Sequence, residues 1–165
     1  MATSKAYLLQ ETPITWLSSG GTETLTLTSL FADAGRQGAE HDFGTAARAP
    51  EFAWRAWVKF ADTPVVGEQV KIYWKTSDGT HPDNDDGNGD VALGSADKLK
   101  NLTLIGNIVV TQASTSVLMV GKGDIYLPHQ YGSPVFFNAT ADRLSDTGLD
   151  SGFSLIPVPI QGQAT

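Results

Sequence analysis

The chain has 165 residues, enough for one domain, with 18 acidic and 11 basic side chains, a formal net charge of −7 and no cysteine. Proteins that bind nucleic acid need Lys and Arg to neutralise phosphates, so this charge argues against such a partner. The absence of cysteine excludes disulfides, thiolate nucleophiles and cysteine zinc sites, and it favours assembly in a reducing cytosol. The apolar run over residues 6–9 is too short for a signal peptide, and no stretch reaches the ~20 apolar residues of a membrane span. Neither secretion nor a membrane is therefore expected.

Several segments alternate apolar and polar residues, the period of two that is typical of half-buried strands. Residues 24–28 alternate leucine with threonine and are predicted to form a strand. Residues 52–60 and 70–74 show the longest alternation, and the turn-forming residues between them predict that these two strands pair as a hairpin. Their apolar face is predicted to form the core, which comprises Phe52, Trp54, Val58, Phe60, Val70, Ile72 and Trp74.

Short apolar runs continue through the second half of the chain, each bounded by Gly, Pro, Asn or Asp. They cover residues 102–110, 117–120, 125–127, 135–137 and 153–158. A helical turn is predicted only within residues 95–102. Many short strands separated by turn residues predict an all-β fold, namely an antiparallel, jelly-roll-like β-sandwich with helix in less than about a tenth of its residues.

The remaining segments are predicted to be irregular. Residues 32–50 mix Gly, Ala and charged residues, and residues 77–90 contain no aliphatic hydrophobic residue and no Phe, Tyr or Trp. The second segment is predicted to be a solvent-facing excursion, because it has no apolar surface to bury against the entropy lost on ordering. We divide the chain into an N-terminal arm (residues 1–12), a β-sandwich domain (residues 13–160) and a C-terminal tail (residues 161–165), so that extended arms flank one domain.

The densest polar cluster is the acidic stretch at residues 83–90. It resembles a calcium loop when Asn84, Asp86 and Asn88 are aligned to the first, third and fifth loop positions. The alignment fails at Ser95, where such a loop requires a bidentate glutamate. We therefore predict a solvated acidic turn and no metal ligand.

No residues form a pattern that catalysis requires. His41, His81 and His129 are far apart in sequence, and the chain contains neither a Gly-x-Ser-x-Gly elbow nor a glycine-rich phosphate loop. A glycan hydrolase stays open as an alternative, because acidic residues are plentiful, although no pair of them stands out. We predict no catalytic residue, no cofactor and no enzymatic activity.

Large side chains outside the predicted core mark candidate interfaces. Trp57 falls on the polar face of its strand, beside Arg55 and Lys59, where a ring serves as an interface anchor or as a platform for a ligand. We favour the interface. The predicted interface residues are Tyr7, Leu8 and Leu9 of the N-terminal arm together with Trp57, Tyr131 and Phe137.

Five short motifs follow one another along residues 34–158. They are Ala34-Gly35-Arg36-Gln37, Asp42-Phe43-Gly44, Val70-Lys71-Ile72-Tyr73-Trp74, Tyr131-Gly132-Ser133-Pro134-Val135 and Phe153-Ser154-Leu155-Ile156-Pro157-Val158. In their order and spacing, the chain resembles a group of small structural proteins encoded among the head and tail genes of tailed bacteriophages. Members of that group tend to end with an acidic Asp-Glu segment before a terminal Gln. This chain departs from them, because it has Pro159-Ile160-Gln161-Gly162-Gln163 in that place.

The resemblance implies a virion component, and a capsid cement or decoration protein is the preferred member of that class. Such a protein assembles in the host cytoplasm, binds the outer surface of the major capsid protein shell and stabilises it. We expect a homo-oligomer, a trimer in preference to a dimer, with the N-terminal arm packed on a neighbouring chain. The alternatives are a tail or head–tail component and a carbohydrate-binding β-sandwich module in which Trp57 forms the platform.

Overall fold

A computed structural model of the chain describes residues 6–8, 11–46 and 50–162, with side chains described for residues 11–46 and 50–159. The structure is 42% strand and 3% helix. The strands are β1 (Ala6–Leu8), β2 (Ile14–Leu17), β3 (Glu23–Thr24), β4 (Gly35–Gln37), β5 (His41–Asp42), β6 (Glu51–Val58), β7 (Gln69–Ser77), β8 (Val91–Ala92), β9 (Thr103–Val109), β10 (Met119–Tyr126), β11 (Tyr131–Asn138), β12 (Gly152–Pro157) and β13 (Ile160–Gly162). One 3-10 helical turn spans Ala96–Leu99, inside the segment predicted for it.

The strands form two stacked sheets and a separate ribbon. The first sheet has the order β10-β6-β12-β2-β3, and its neighbours are antiparallel except for β2 and β3. The second has the order β8-β4-β11-β7-β9, with β5 also paired to β11. The ribbon joins β1 to β13, so the two terminal segments pair with each other. The predicted all-β sandwich is confirmed, and its jelly-roll form stays a prediction.

The inward faces of the two sheets meet in an aromatic core. The predicted core residues of β6, β7 and the flanking Phe60 are all buried. Phe153 of β12 lies at the centre, with ring centroids 5.7–6.4 Å from those of its neighbours. Those neighbours are Trp16, Trp54, Trp74 and Phe136. Edge and stacked ring contacts of this kind add to the free energy gained from apolar burial.

The predicted hairpin of residues 52–60 and 70–74 is wrong. β6 pairs with β10 and β12, whereas β7 pairs with β9 and β11, so the two strands lie in opposite sheets. Residues 59–68 cross from one sheet to the other. Alternation shows which side of a strand is buried but not which strand lies beside it, and two strands facing each other across a core produce the same pattern.

Two further local predictions need correction. The strand predicted over residues 24–28 ends at Thr24. Leu25 N still donates to Leu17 O of β2 at 2.9 Å, but Thr26 N donates to the Asp90 carboxylate at 3.2 Å. The alternation did identify buried leucines at positions 25 and 27. Residues 32–50 were predicted to be irregular but contain β4 and β5, which both pair with β11.

Residues 77–90, named the acidic loop below, fold back over the outer face of the second sheet. Its Gly87 carbonyl accepts hydrogen bonds from Lys75 Nζ at 2.8 Å and Gln37 Nε2 at 2.9 Å, and Asn84 Nδ2 donates to Gln37 Oε1 at 2.7 Å. Lys75, Gln37 and Asn84 are all buried. Seven of the fourteen residues of the loop are exposed, as expected of a solvent-facing excursion, but buried polar bonds order it where apolar residues are lacking.

Candidate protein-docking surface

The sandwich has two chemically different ends. Three connections between the sheets, residues 59–68, 110–118 and 139–151, gather at one end, since they follow β6, β9 and β11 in the observed registers. Residues 29–34 join them, because Asp33 N donates to Asn138 O at 2.8 Å. We call these four segments, with the strand ends that they join, the apolar end.

Most of the exposed large hydrophobic side chains lie at the apolar end. In the part of the chain with described side chains, nine such residues stay exposed, and seven of them are at this end. They are Phe31, Val65, Val66, Val109, Leu118, Val120 and Leu149. Phe31 is 65% exposed, and Val65 and Val66 more than half. Scattered surface hydrophobics are ordinary in soluble domains, whereas their concentration at one end is typical of interaction surfaces.

Backbone hydrogen bonds hold the segments that carry these side chains. Leu144 N donates to Leu30 O at 3.0 Å, and Val110 N donates to Glu68 O at 2.9 Å. The buried side chain of Asn138 adds a bond to Leu30 O at 3.1 Å. The apolar side chains therefore project from an ordered framework, which reduces the entropy that a partner must remove on binding.

The apolar end is also acidic. Its four segments contain six carboxylates and two cationic side chains, an excess of four negative charges. The carboxylates belong to Asp33, Asp62, Glu68, Asp142, Asp146 and Asp150, and the cations to Lys59 and Arg143. Lys59 Nζ donates to Asp150 at 2.8 Å, and this bond together with one from Ser145 lowers the pKa of Asp150. A partner with basic groups around an apolar centre would complement this charge.

Trp57 is the predicted interface residue that lies within this surface. It is half-buried on the outer face of the first sheet, directly opposite Val120 of β10. The Arg55 guanidinium lies 5.3 Å from the centre of its ring, and its Nε1 donates to Leu149 O at 3.5 Å. The ring therefore joins two exposed aliphatic residues into one apolar stretch, while a sugar platform would have to displace Arg55.

The structure does not bring the other predicted interface residues together with Trp57. Phe137 lies at the apolar end, one residue before the end of β11, but it is half-buried on the outer face of the second sheet, whereas Trp57 is on the outer face of the first. Tyr131 lies six residues away at the far end of β11. Tyr7 and Leu8 belong to β1, whose side chains lie outside the described ones, and Leu9 lies outside the described residues.

Sequence reasoning missed Phe31, Val65 and Val66. A signal for them was present, since each is an apolar residue placed among Asp, Gly, Ser or Pro in a connection rather than in an alternating strand. A hydrophobic residue in a turn has no core face to occupy, so its exposure follows from its position.

A buried ion pair anchors the acidic loop. Lys75 Nζ lies 3.6 Å from Glu40 Oε2, with 0% and 7% of the two side chains exposed. Burial lowers the pKa of Lys75, and the nearby Glu40 carboxylate opposes that shift. At the end of the loop, Arg36 Nε donates to Asp90 at 2.6 Å, and Thr26 Oγ1 donates to the same carboxylate at 2.6 Å. Burial opposes ionisation of Asp90, but these bonds outweigh it and lower its pKa.

Among the side chains of residues 11–46 and 50–159, no three His, Asp or Glu groups converge in a way that could hold a metal ion. No helix in the described ranges is long and apolar enough to cross a membrane.

A scan against protein-family models found no match, and a search of curated proteins found none.

Proposed function

We propose that the protein is a capsid cement or decoration protein of a tailed bacteriophage, without enzymatic activity, which binds the outer surface of the major capsid protein shell and stabilises it. The observation that supports this function is the concentration of exposed hydrophobic side chains at the apolar end. A domain with a filled aromatic core does not need these side chains for folding. They are instead suited to burial against a partner.

The charge of the chain supports a protein partner over nucleic acid. A net charge of −7 repels packaged DNA, whereas the acidic apolar end attracts a basic surface. Trp57 supplies a large ring at the edge of this surface, and interface energy is commonly concentrated in such residues.

The ribbon of β1 and β13 supports assembly of several copies. Two short strands alone are marginally stable in water, and no third strand of the described residues pairs with the outer edges of these two. We propose that a strand of a neighbouring copy adds to this ribbon, so that a homotrimer forms in which residues 1–11 contact the neighbour. Deleting residues 1–11 should shift the protein from trimer to monomer in sedimentation velocity. A truncated protein that stays trimeric would contradict this arrangement.

Binding to shells tests the proposed function. Expanded capsids that lack the protein are titrated with the wild type and with the Val65→Asp/Val66→Asp double variant. Two carboxylates placed in an apolar contact should weaken binding at least 100-fold. Leu104→Asp is the matched control, because Leu104 is equally exposed but lies at the opposite end of β9 from Val109.

Two outcomes of this titration would contradict the proposal. One is a double variant that binds shells as tightly as the wild type, which would place the contact elsewhere on the molecule. The other is a wild-type protein that ignores shells and is recovered in a few copies per tail, which would favour the tail or head–tail alternative.

A further inference from the structure

The second end of the sandwich carries grooves. Residues 127–130 connect β10 to β11 at this end, and they lie beside Ser77 and Asp78, where the acidic loop begins. Tyr126 is the last residue of β10, immediately before this connection. One groove of about 310 Å³ lies between Tyr126, Glu51 and Asp124. A second, of about 500 Å³, is lined by Asp78, His81, Asp83, His129, Gln130 and Tyr131. We call this region the groove end.

Tyr126 stands at the centre of the groove end. It is 63% exposed, the most exposed Phe, Tyr or Trp of the described part of the chain after Phe31. It lies directly opposite Glu51 of β6, and Asp124 projects from the same face two residues earlier. A further groove on its other side is lined by Pro50, Pro128 and Gln130. The ring therefore separates two grooves, with carboxylates beside one of them.

The polar groups of the second groove are held in place. Asp83 accepts bonds from the backbone N–H and the hydroxyl of Thr76, at 2.9 and 2.5 Å. Asp78 accepts bonds from the backbone N–H groups of Thr80 and His81 and from the His81 ring, which lower its pKa. Gln130 Nε2 donates to Asp42 at 2.9 Å.

We propose that the groove end binds a neutral oligosaccharide, with the Tyr126 ring as its stacking platform. The C–H face of a sugar ring packs on an aromatic ring, and its hydroxyls bond to carboxylate and amide groups. Glu51, Asp124 and Gln130 supply such groups in the grooves that Tyr126 lines, and Gln130 also lines the second groove, where Asp78 and Asp83 can bond to further sugar units. The acidic lining rejects sialylated and phosphorylated ligands by charge repulsion. Because Asp78 and Asp83 already have internal partners, they offer a cationic peptide less attraction than free carboxylates would.

This inference is independent of shell binding. The grooves lie at the end opposite Phe31, Val65 and Val66, so a protein attached to a surface by the apolar end would leave them open. The oligosaccharide site can therefore be tested on the isolated protein, and failure of either proposal leaves the other standing.

Saturation-transfer NMR on the isolated protein tests the site. The probes are neutral trisaccharides of glucose, N-acetylglucosamine and mannose, with sialyllactose and an oligolysine peptide as charged comparisons. We expect transfer to at least one neutral trisaccharide and none to sialyllactose. Tyr126→Ala should weaken binding at least 10-fold, whereas Tyr126→Phe should bind within threefold of wild type because it keeps the ring.

The control variant is Leu104→Ala, which removes another exposed hydrophobic side chain and should leave saccharide binding unchanged. Thermal unfolding confirms that each variant is folded, as expected for a substitution at an exposed position. The proposal is overturned if no neutral trisaccharide receives saturation, if Tyr126→Ala binds as well as the wild type, or if only the oligolysine peptide binds.

Discussion

The apolar end and the groove end use opposite chemistry in their connecting segments. At the apolar end, backbone hydrogen bonds fix short connections, and large hydrophobic side chains such as Phe31 and Val66 point into solvent. At the groove end, the acidic loop turns its polar groups inward and bonds them to Lys75 and Gln37 on the outer face of a sheet. The apolar end exposes large hydrophobic side chains, which a domain ordinarily buries. The groove end buries the polar side chains of Lys75, Gln37 and Asn84, which a domain ordinarily exposes.

In the function that we propose, this difference separates a surface for binding from a surface that stabilises the fold. Removing an exposed hydrophobic side chain costs the isolated domain little, because the side chain already lies in water. Removing one partner of a buried polar pair costs much more, because the other partner stays desolvated. Substitutions at the apolar end should therefore affect partner binding, whereas substitutions of the buried polar groups at the groove end should affect the free energy of unfolding.

The largest expected effect is at the buried ion pair. Lys75→Met leaves the Glu40 carboxylate without its cation in a buried site, which should lower the free energy of unfolding by about 3–5 kcal/mol. Urea unfolding of the variant measures this change. The Lys75→Met/Glu40→Gln double variant should recover most of the loss, since no buried charge remains. A Lys75→Met protein as stable as the wild type would show that the pair does not anchor the loop.

The next effect concerns Asp90. Asp90→Asn replaces a carboxylate that accepts bonds from Arg36 and Thr26 and should lower the free energy of unfolding by about 2 kcal/mol at pH 7. Asp85→Asn is the control: its side chain is exposed, and asparagine also accepts its positive φ of 58°. The control should change stability by less than about 0.5 kcal/mol.

The same carboxylate predicts a dependence on pH. The pKa of Asp90 in the folded protein is lower than the ordinary value of 3.8, so its contribution is complete above that value. It is lost as pH falls below 3.8 through the folded-state pKa, because protonation then costs the folded state more than the unfolded state. The stability difference between wild type and Asp90→Asn should shrink over this range. A difference that stays constant from pH 7 to pH 2 would contradict this origin.

The smallest expected effect is at the apolar end. Val65→Asp/Val66→Asp should change the free energy of unfolding by less than about 0.5 kcal/mol, although it abolishes the apolar surface there. Thermal and urea unfolding both measure this. A loss above about 2 kcal/mol would show that these valines support the fold, and the contrast between the two ends would fail.

The sequence predicted which residues are buried better than it predicted which strands are neighbours. Alternation in residues 52–58 and 70–74 identified the core correctly, because the side-chain period is a property of one strand. The pairing of β6 with β10 and of β7 with β11 depends on contacts between residues far apart in sequence. A short connection between two strands suggested a hairpin, and no local signal distinguished that from a crossing between sheets.

The candidate sites were predictable only in part. Trp57 was identified because it interrupts a polar face, and it lies within the apolar surface. Phe31 and Val65 were missed because they come to the same end of the sandwich only when four segments far apart in sequence gather there. The order in the acidic loop was missed for a similar reason, since its hydrogen bonds to Gln37 span 50 and 52 residues and Gln37 lies in a segment predicted to be irregular.

The orientation of the protein on the intact particle tests the central claim most directly. A cryo-EM map of the virion with the domain fitted into its density would show which end faces the shell. We predict that the apolar end, with Phe31, Val65 and Val66, is buried against the major capsid protein, and that Tyr126 at the groove end faces outward. Density in which the groove end contacts the shell while the apolar end lies in solvent would contradict the account.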